Sequence, residues 1–139
     1  MARSIETSNI NKSSNSVEIY RGQSKDLELE LTTDEKQPSG EVEEVPLKLG
    51  GASIFLAVKR DLCDERAIIT KSTASALQIE IVGDPDNGLA LIHFDPTDTK
   101  DEEPGDLVFD VWVELSSGKR YPVVEVSKFE ILKPVTVLT

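Results

Sequence analysis

Apolar and polar residues alternate with a period of two along much of this chain. Leu27, Leu29 and Leu31 fall on one side of a run that puts Glu28, Glu30 and Thr32 on the other. Successive side chains of an extended strand point to opposite faces, so this run predicts a half-buried antiparallel strand with one wet face. The same period returns at 107–115, where Leu107, Phe109, Val111, Val113 and Leu115 alternate with Asp110, Trp112 and Glu114. Residues 53–59 differ in being apolar on both faces, with Ile54, Leu56 and Val58 on one and Phe55 and Ala57 on the other. That pattern predicts a central strand covered on both sides. Shorter strand-like runs lie at 17–21, 67–71, 78–82, 89–94, 120–125 and 126–132.

Turn residues separate these runs. Gly83-Asp84-Pro85-Asp86-Asn87-Gly88 is the clearest turn, its Asn-Gly pair suited to positive φ, and it predicts a hairpin between 78–82 and 89–94. Residues 33–46 are acidic, hold two prolines and a glycine, and show no period, which predicts a long exposed connection. Residues 95–106 read as a second acidic loop, and 72–76 are too few for a stable helix. Seven to nine short strands at such spacing describe an all-β sandwich. Its predicted core includes Leu29, Ile54, Leu56, Ile81, Phe109, Val111 and Ile131. A chain of 139 residues is enough for one domain. Residues 17–139 form that domain. Residues 1–16 are rich in Ser, Asn and Thr, with Ile5 and Ile10 as their sizeable apolar side chains, and read as a flexible arm that orders on a partner.

Composition narrows the function. The single cysteine, Cys63, rules out an intrachain disulfide and a cysteine zinc cluster, and the single histidine, His93, rules out a multi-histidine metal site within one protomer. The net charge of −11 argues against nucleic acid and anionic membranes as partners. No run approaches the roughly 20 apolar residues of a membrane span. The first residues lack the apolar core of a signal peptide, so a protein made and assembled in a cytoplasm is expected.

Nothing in the chain spells a catalytic constellation, and it is read as no enzyme. His93 lies mid-strand between Ile92 and Phe94, and there is no Gly-x-Ser-x-Gly elbow. Cys63 stands beside Asp64 and Glu65, whose charges disfavour a thiolate. Asp84, Asp86, Asn87, Asp95, Asp98, Asp101, Glu102 and Glu103 offer oxygen ligands of the kind that hold Ca²⁺, yet the 84–88 turn does not match an EF-hand loop. They are read as a solvated acidic rim, with no cofactor. Trp112 faces away from Phe109 and Val111, beside Asp110 and Glu114. It is either a partly covered surface ring or a contact with a partner, where tryptophan is enriched.

The order of landmarks resembles the small immunoglobulin-like modules of tailed-phage virion proteins, in particular the N-terminal domain of baseplate upper proteins and related tail and fibre adaptors. The resemblance covers residues 17–137. Its landmarks are Arg21-Gly22-Gln23-Ser24 leading into Leu27–Leu31, and Pro46-Leu47-Lys48-Leu49-Gly50-Gly51-Ala52 leading to Val58-Lys59. They continue with Pro104-Gly105-Asp106 before Phe109-Asp110-Val111, then Gly118-Lys119-Arg120-Tyr121, and Pro134-Val135-Thr136. The chain departs from the pattern in its longer, acidic 33–46 segment and in Gln23, where an acidic residue is usual. The resemblance implies an immunoglobulin-like antiparallel β-sandwich with an extended N-terminal arm. It also implies a non-enzymatic virion protein, an adaptor of baseplate, tail or fibre, that meets other virion proteins in multiple copies or as a homo-oligomer. Ile5, Ile10 and Trp112 are the expected interface residues. The alternatives are a capsid decoration protein, or a soluble sandwich that binds a carbohydrate or calcium.

Overall fold

The computed structural model describes residues 16–136. Ile5 and Ile10, and nearly all of the expected arm, lie outside the described residues. Ten strands follow one another: β1 (Val17–Tyr20), β2 (Lys25–Glu30), β3 (Thr32–Lys36), β4 (Val42–Pro46), β5 (Ser53–Lys59), β6 (Ile69–Ser72), β7 (Ile79–Ile81), β8 (Leu89–Phe94), β9 (Gly105–Glu114) and β10 (Arg120–Leu132). Five of them form a sheet in the order β1-β10-β9-β5-β6, three form a second sheet in the order β2-β8-β7, and β3 and β4 pair as a hairpin. Inward side chains of both sheets belong to one buried cluster. Phe94 of β8 meets Phe129 of β10 with ring centroids 5.5 Å apart, and Phe129 meets Phe109 of β9 at 5.9 Å. The molecule is therefore an all-β sandwich with its core between two sheets.

The period-two runs become strands with the expected inward sides. Leu107, Phe109, Val111 and Val113 are buried along β9, and Ile54, Leu56 and Val58 along β5. Of the predicted core, Leu29, Ile54, Leu56, Phe109, Val111 and Ile131 are buried, whereas Ile81 is only partly so, because it ends β7 at the edge of the smaller sheet.

Several expectations are corrected. The sandwich is not wholly antiparallel, since β1 pairs with β10 in parallel, Val17 opposite Phe129 and Ile19 opposite Ile131. No hairpin ties β1 to its neighbour: the chain turns at 21–24 and crosses to the other sheet as β2, so β1 takes its direction from the edge it joins. The expected loop 33–46 is mostly the β3–β4 hairpin, with Asp34 opposite Glu44. Gln37 and Glu41 close its turn through Gln37 N–H to Glu41 O at 2.7 Å. Every β4 residue is exposed or half-buried, so the strand leaves no apolar period to read. The two runs at 120–125 and 126–132 are one strand, β10, with register shifts on either side of Val124. The bulge lets the successive residues Val123 and Val124 both be buried, which hides the alternation. Finally, the acidic stretch after β8 begins with one helical turn, α1 (Pro96–Thr99).

Candidate functional site

β5 and β9 lie side by side in the interior of the larger sheet, and their register sets Phe55 directly opposite Trp112. Both rings stand on the outer face, Phe55 41% and Trp112 40% exposed. The outward placement of Trp112 follows from the alternation. The cover expected over Phe55 does not: the second apolar face of β5 opens on solvent. A sequence shows that a strand is apolar on both sides, but not whether a second layer exists to cover it. Trp112 Nε1 donates to Asp110 Oδ2 at 3.0 Å, so its polar edge is satisfied within its own strand.

The two rings line a groove of about 350 Å³ whose floor and sides include Ala57, Thr70, Ser72, Gln78 and Asp110. The Gln78 carbonyl accepts the Ser72 backbone N–H at 3.1 Å, which anchors the amide at the groove wall. A neighbouring hollow of about 170 Å³ shares Ala57 and Asp110 and is bounded by Leu62, Val108 and Val126. Leu62 and Val126 are themselves exposed. The outer face of the larger sheet thus carries two adjoining hollows, largely apolar, with Lys59, Gln78 and Asp110 among their polar linings.

A second cluster lies on the outer face of the smaller sheet. His93 of β8 stands between Asp26 of β2 and Glu80 of β7, with Nδ1 2.8 Å from Asp26 Oδ1 and Nε2 3.2 Å from Glu80 Oε1. The Asp26 hydrogen bond raises the imidazole pKa above its ordinary 6.5; partial desolvation opposes the rise, and Glu80 adds to it. In the imidazolium form both ring N–H groups donate to carboxylates. In that form the row holds a positive charge between two carboxylates on the outer face of the smaller sheet.

Asp84, Asp98 and Glu102 of the acidic turns spend oxygens internally. Asp84 Oδ1 caps the Asp86 N–H at 2.9 Å. Asp98 Oδ2 accepts the Asp95 N–H at 2.8 Å and pairs with Lys71 Nζ at 2.7 Å. Arg60 reaches Glu102 Oε1 at 3.3 Å and the Glu103 carbonyl at 2.9 Å. Among the described residues, no group of three His, Cys, Asp or Glu side chains is disposed to hold a metal ion. Cys63 is exposed, with its backbone N–H on Asp61 Oδ1 at 2.9 Å. Among the described residues no helix is long and apolar enough to cross a membrane.

Sequence reasoning missed Phe55, Gln78 and Lys71 as parts of these clusters. Phe55 carried a signal, since a ring two places from Ala57 on the second face of β5 is a candidate surface aromatic. Gln78 and Lys71 carried none, because their partners lie on other strands or turns. No family model matches the chain, and no curated protein matches it either.

Proposed function

We propose that this chain is a non-enzymatic structural module of a tailed-phage virion, an immunoglobulin-like adaptor of baseplate, tail or fibre. It works through contacts with other virion proteins, in multiple copies, and is assembled in the host cytoplasm. The observation that carries the reading is strand order. Immunoglobulin sandwiches place strands B, E and D in one sheet and C, F and G in the other. Here β2-β8-β7 occupy the first set of places and β5, β9 and β10 the second, with β6 as the added strand beside C. Several of the residues on which the resemblance rests stand at strand ends and turns. Pro104-Gly105 opens β9, and Gly118-Lys119-Arg120-Tyr121 turns the chain into β10. Ile5 and Ile10 are the proposed anchors to neighbours.

The reading is tested on particles. Antibody raised against the chain should label tailed particles purified on a density gradient from the source of the gene, at one defined position along the tail. Unlabelled particles, with the chain recovered as a soluble monomer, would sink it. A second reading, a ligand-binding sandwich, is favoured by one observation, the opposed Phe55 and Trp112 on an open sheet face.

A further inference from the structure

We infer that the furrow between Phe55 and Trp112 binds a neutral oligosaccharide, with the two rings against sugar faces and the side chains of Gln78 and Asp110 on hydroxyl groups. The site stands or falls independently of the virion reading, because it is argued from the furrow alone.

β5 pairs with β6 on one side and β9 on the other, and β9 with β5 and β10, so neither strand has an edge to offer a peptide; β6 is the edge of the sheet, and there the Ser72 N–H is already held by the Gln78 side chain. Recognition must come from side chains. Those present are two aromatic rings, an amide, a carboxylate and small hydroxyl residues around an apolar floor. A sugar ring has the matching make-up: a face of C–H groups, slightly positive, that suits the negative face of an aromatic ring, and a rim of hydroxyls that both donate and accept. The groove volume of about 350 Å³ falls within the roughly 300–1,000 Å³ of ligand clefts.

The platform is set before a ligand arrives. Asp110 Oδ2 holds the Trp112 indole N–H, and among the described residues its Oδ1 has no partner. The Ser72 backbone N–H holds the Gln78 side-chain carbonyl, and among the described residues the amide NH₂ has no partner. Fixing rings and polar groups in advance lowers the ordering cost of binding. The adjoining hollow at Leu62 and Val126 extends the furrow past a single ring, which favours a chain of sugars over a monosaccharide.

Charge weighs against the other occupants. A second copy of the chain would set the Asp106, Asp110 and Glu114 strand against itself, in molecules that each carry a net charge of −11. The same charge disfavours anionic glycans.

Trp112 is the only tryptophan in the chain, so its fluorescence reports on the furrow alone. Titration with cellohexaose, maltohexaose, chitohexaose and mannohexaose should give a saturable change with at least one of them, with a Kd of about 1 mM or tighter. Calorimetry with that sugar should show binding about tenfold weaker for Phe55→Ala, Trp112→Ala and Gln78→Ala, and retained by Phe55→Tyr. Phe55 and Trp112 are two-fifths exposed, so the melting curves of their variants should shift little and separate lost binding from lost fold, whereas Gln78→Ala also strands the Ser72 N–H and should melt lower. The inference is overturned if none of the four sugars gives a saturable change, or if the alanine variants bind undiminished. A concentration-dependent dimer that Trp112→Ala abolishes would put a second copy in the furrow and overturn it as well.

Discussion

At Gly88 three stretches of backbone meet. Its carbonyl accepts the Leu31 N–H at 2.8 Å, and the Leu31 carbonyl accepts the Leu47 N–H at 2.8 Å. Gly88 has φ of +69°, and a Cβ there would collide with the Leu31 carbonyl oxygen and sit 3.1 Å from the Leu47 backbone N and O. Neither neighbour is a flexible side chain that could swing away. Gly83 is the natural control, with φ of +66° and open space around it. Gly83→Ala is expected to cost about 1–2 kcal/mol, the strain of a left-handed residue. Gly88→Ala should cost about 3 kcal/mol or more, since the crossing must also open. Urea unfolding of the two variants measures the difference, and equal losses would mean that the crossing yields freely. The sequence announced a turn at Asn87-Gly88, but only Gly88 takes positive φ; Asn87 closes a short 3-10 turn, Pro85–Asn87. It gave no sign of the crossing, because residues 31 and 47 are far away along the chain.

At the scale of strands, legibility followed the apolar face. β2 and β9 each bury one side, and their alternation shows which side that is. β3 and β4 bury little and carry no period, while the β10 bulge makes one long strand look like two. The outer row Asp26–His93–Glu80 was equally hidden, since it joins β2, β8 and β7 through residues 26, 80 and 93. That row carries a pH dependence. The folded pKa of His93 lies above its unfolded value of about 6.5, so the fold binds this proton more tightly than the open chain does. Its contribution is therefore complete below about pH 6.5 and fades as pH rises through the folded pKa. Other carboxylates titrate in every variant, so the informative quantity is the difference from His93→Gln. The wild type should melt higher than His93→Gln at about pH 5.5, and the gap should narrow by about pH 8.5. A gap that stays constant or widens toward alkaline pH would show that the imidazolium is not what the two carboxylates hold.

At the scale of the whole molecule, a buried ammonium, that of Lys71, ties the two sheets together. Lys71 leaves the edge strand β6 of the larger sheet, and its side chain is only 5% exposed. Its ammonium lies 5.8 Å from the ring centroid of Phe94 in the smaller sheet and 2.7 Å from Asp98 in α1, the turn that leads from that sheet back to β9. The same turn is pinned by Thr99, whose buried hydroxyl accepts the Gly22 N–H at 2.9 Å. Burying an ammonium is costly unless it is paired, so the two partners are not equivalent. Asp98, 18% exposed, keeps contact with water and with the Asp95 N–H if Lys71 is lost. Lys71 has no such recourse if Asp98 is lost. Asp98→Ala should therefore cost about 3 kcal/mol, from a buried charge left uncompensated. Lys71→Met keeps the length and packing of the side chain without its charge and should cost less than about 1 kcal/mol. Denaturant unfolding of both variants and of the double variant decides the matter. The double variant should recover most of what Asp98→Ala loses, because the stranded charge is gone. If it is as unstable as the sum of the two single changes, the pair is no buried charge in need of a partner, and the closure of the sandwich at this end rests on packing around Phe94 instead.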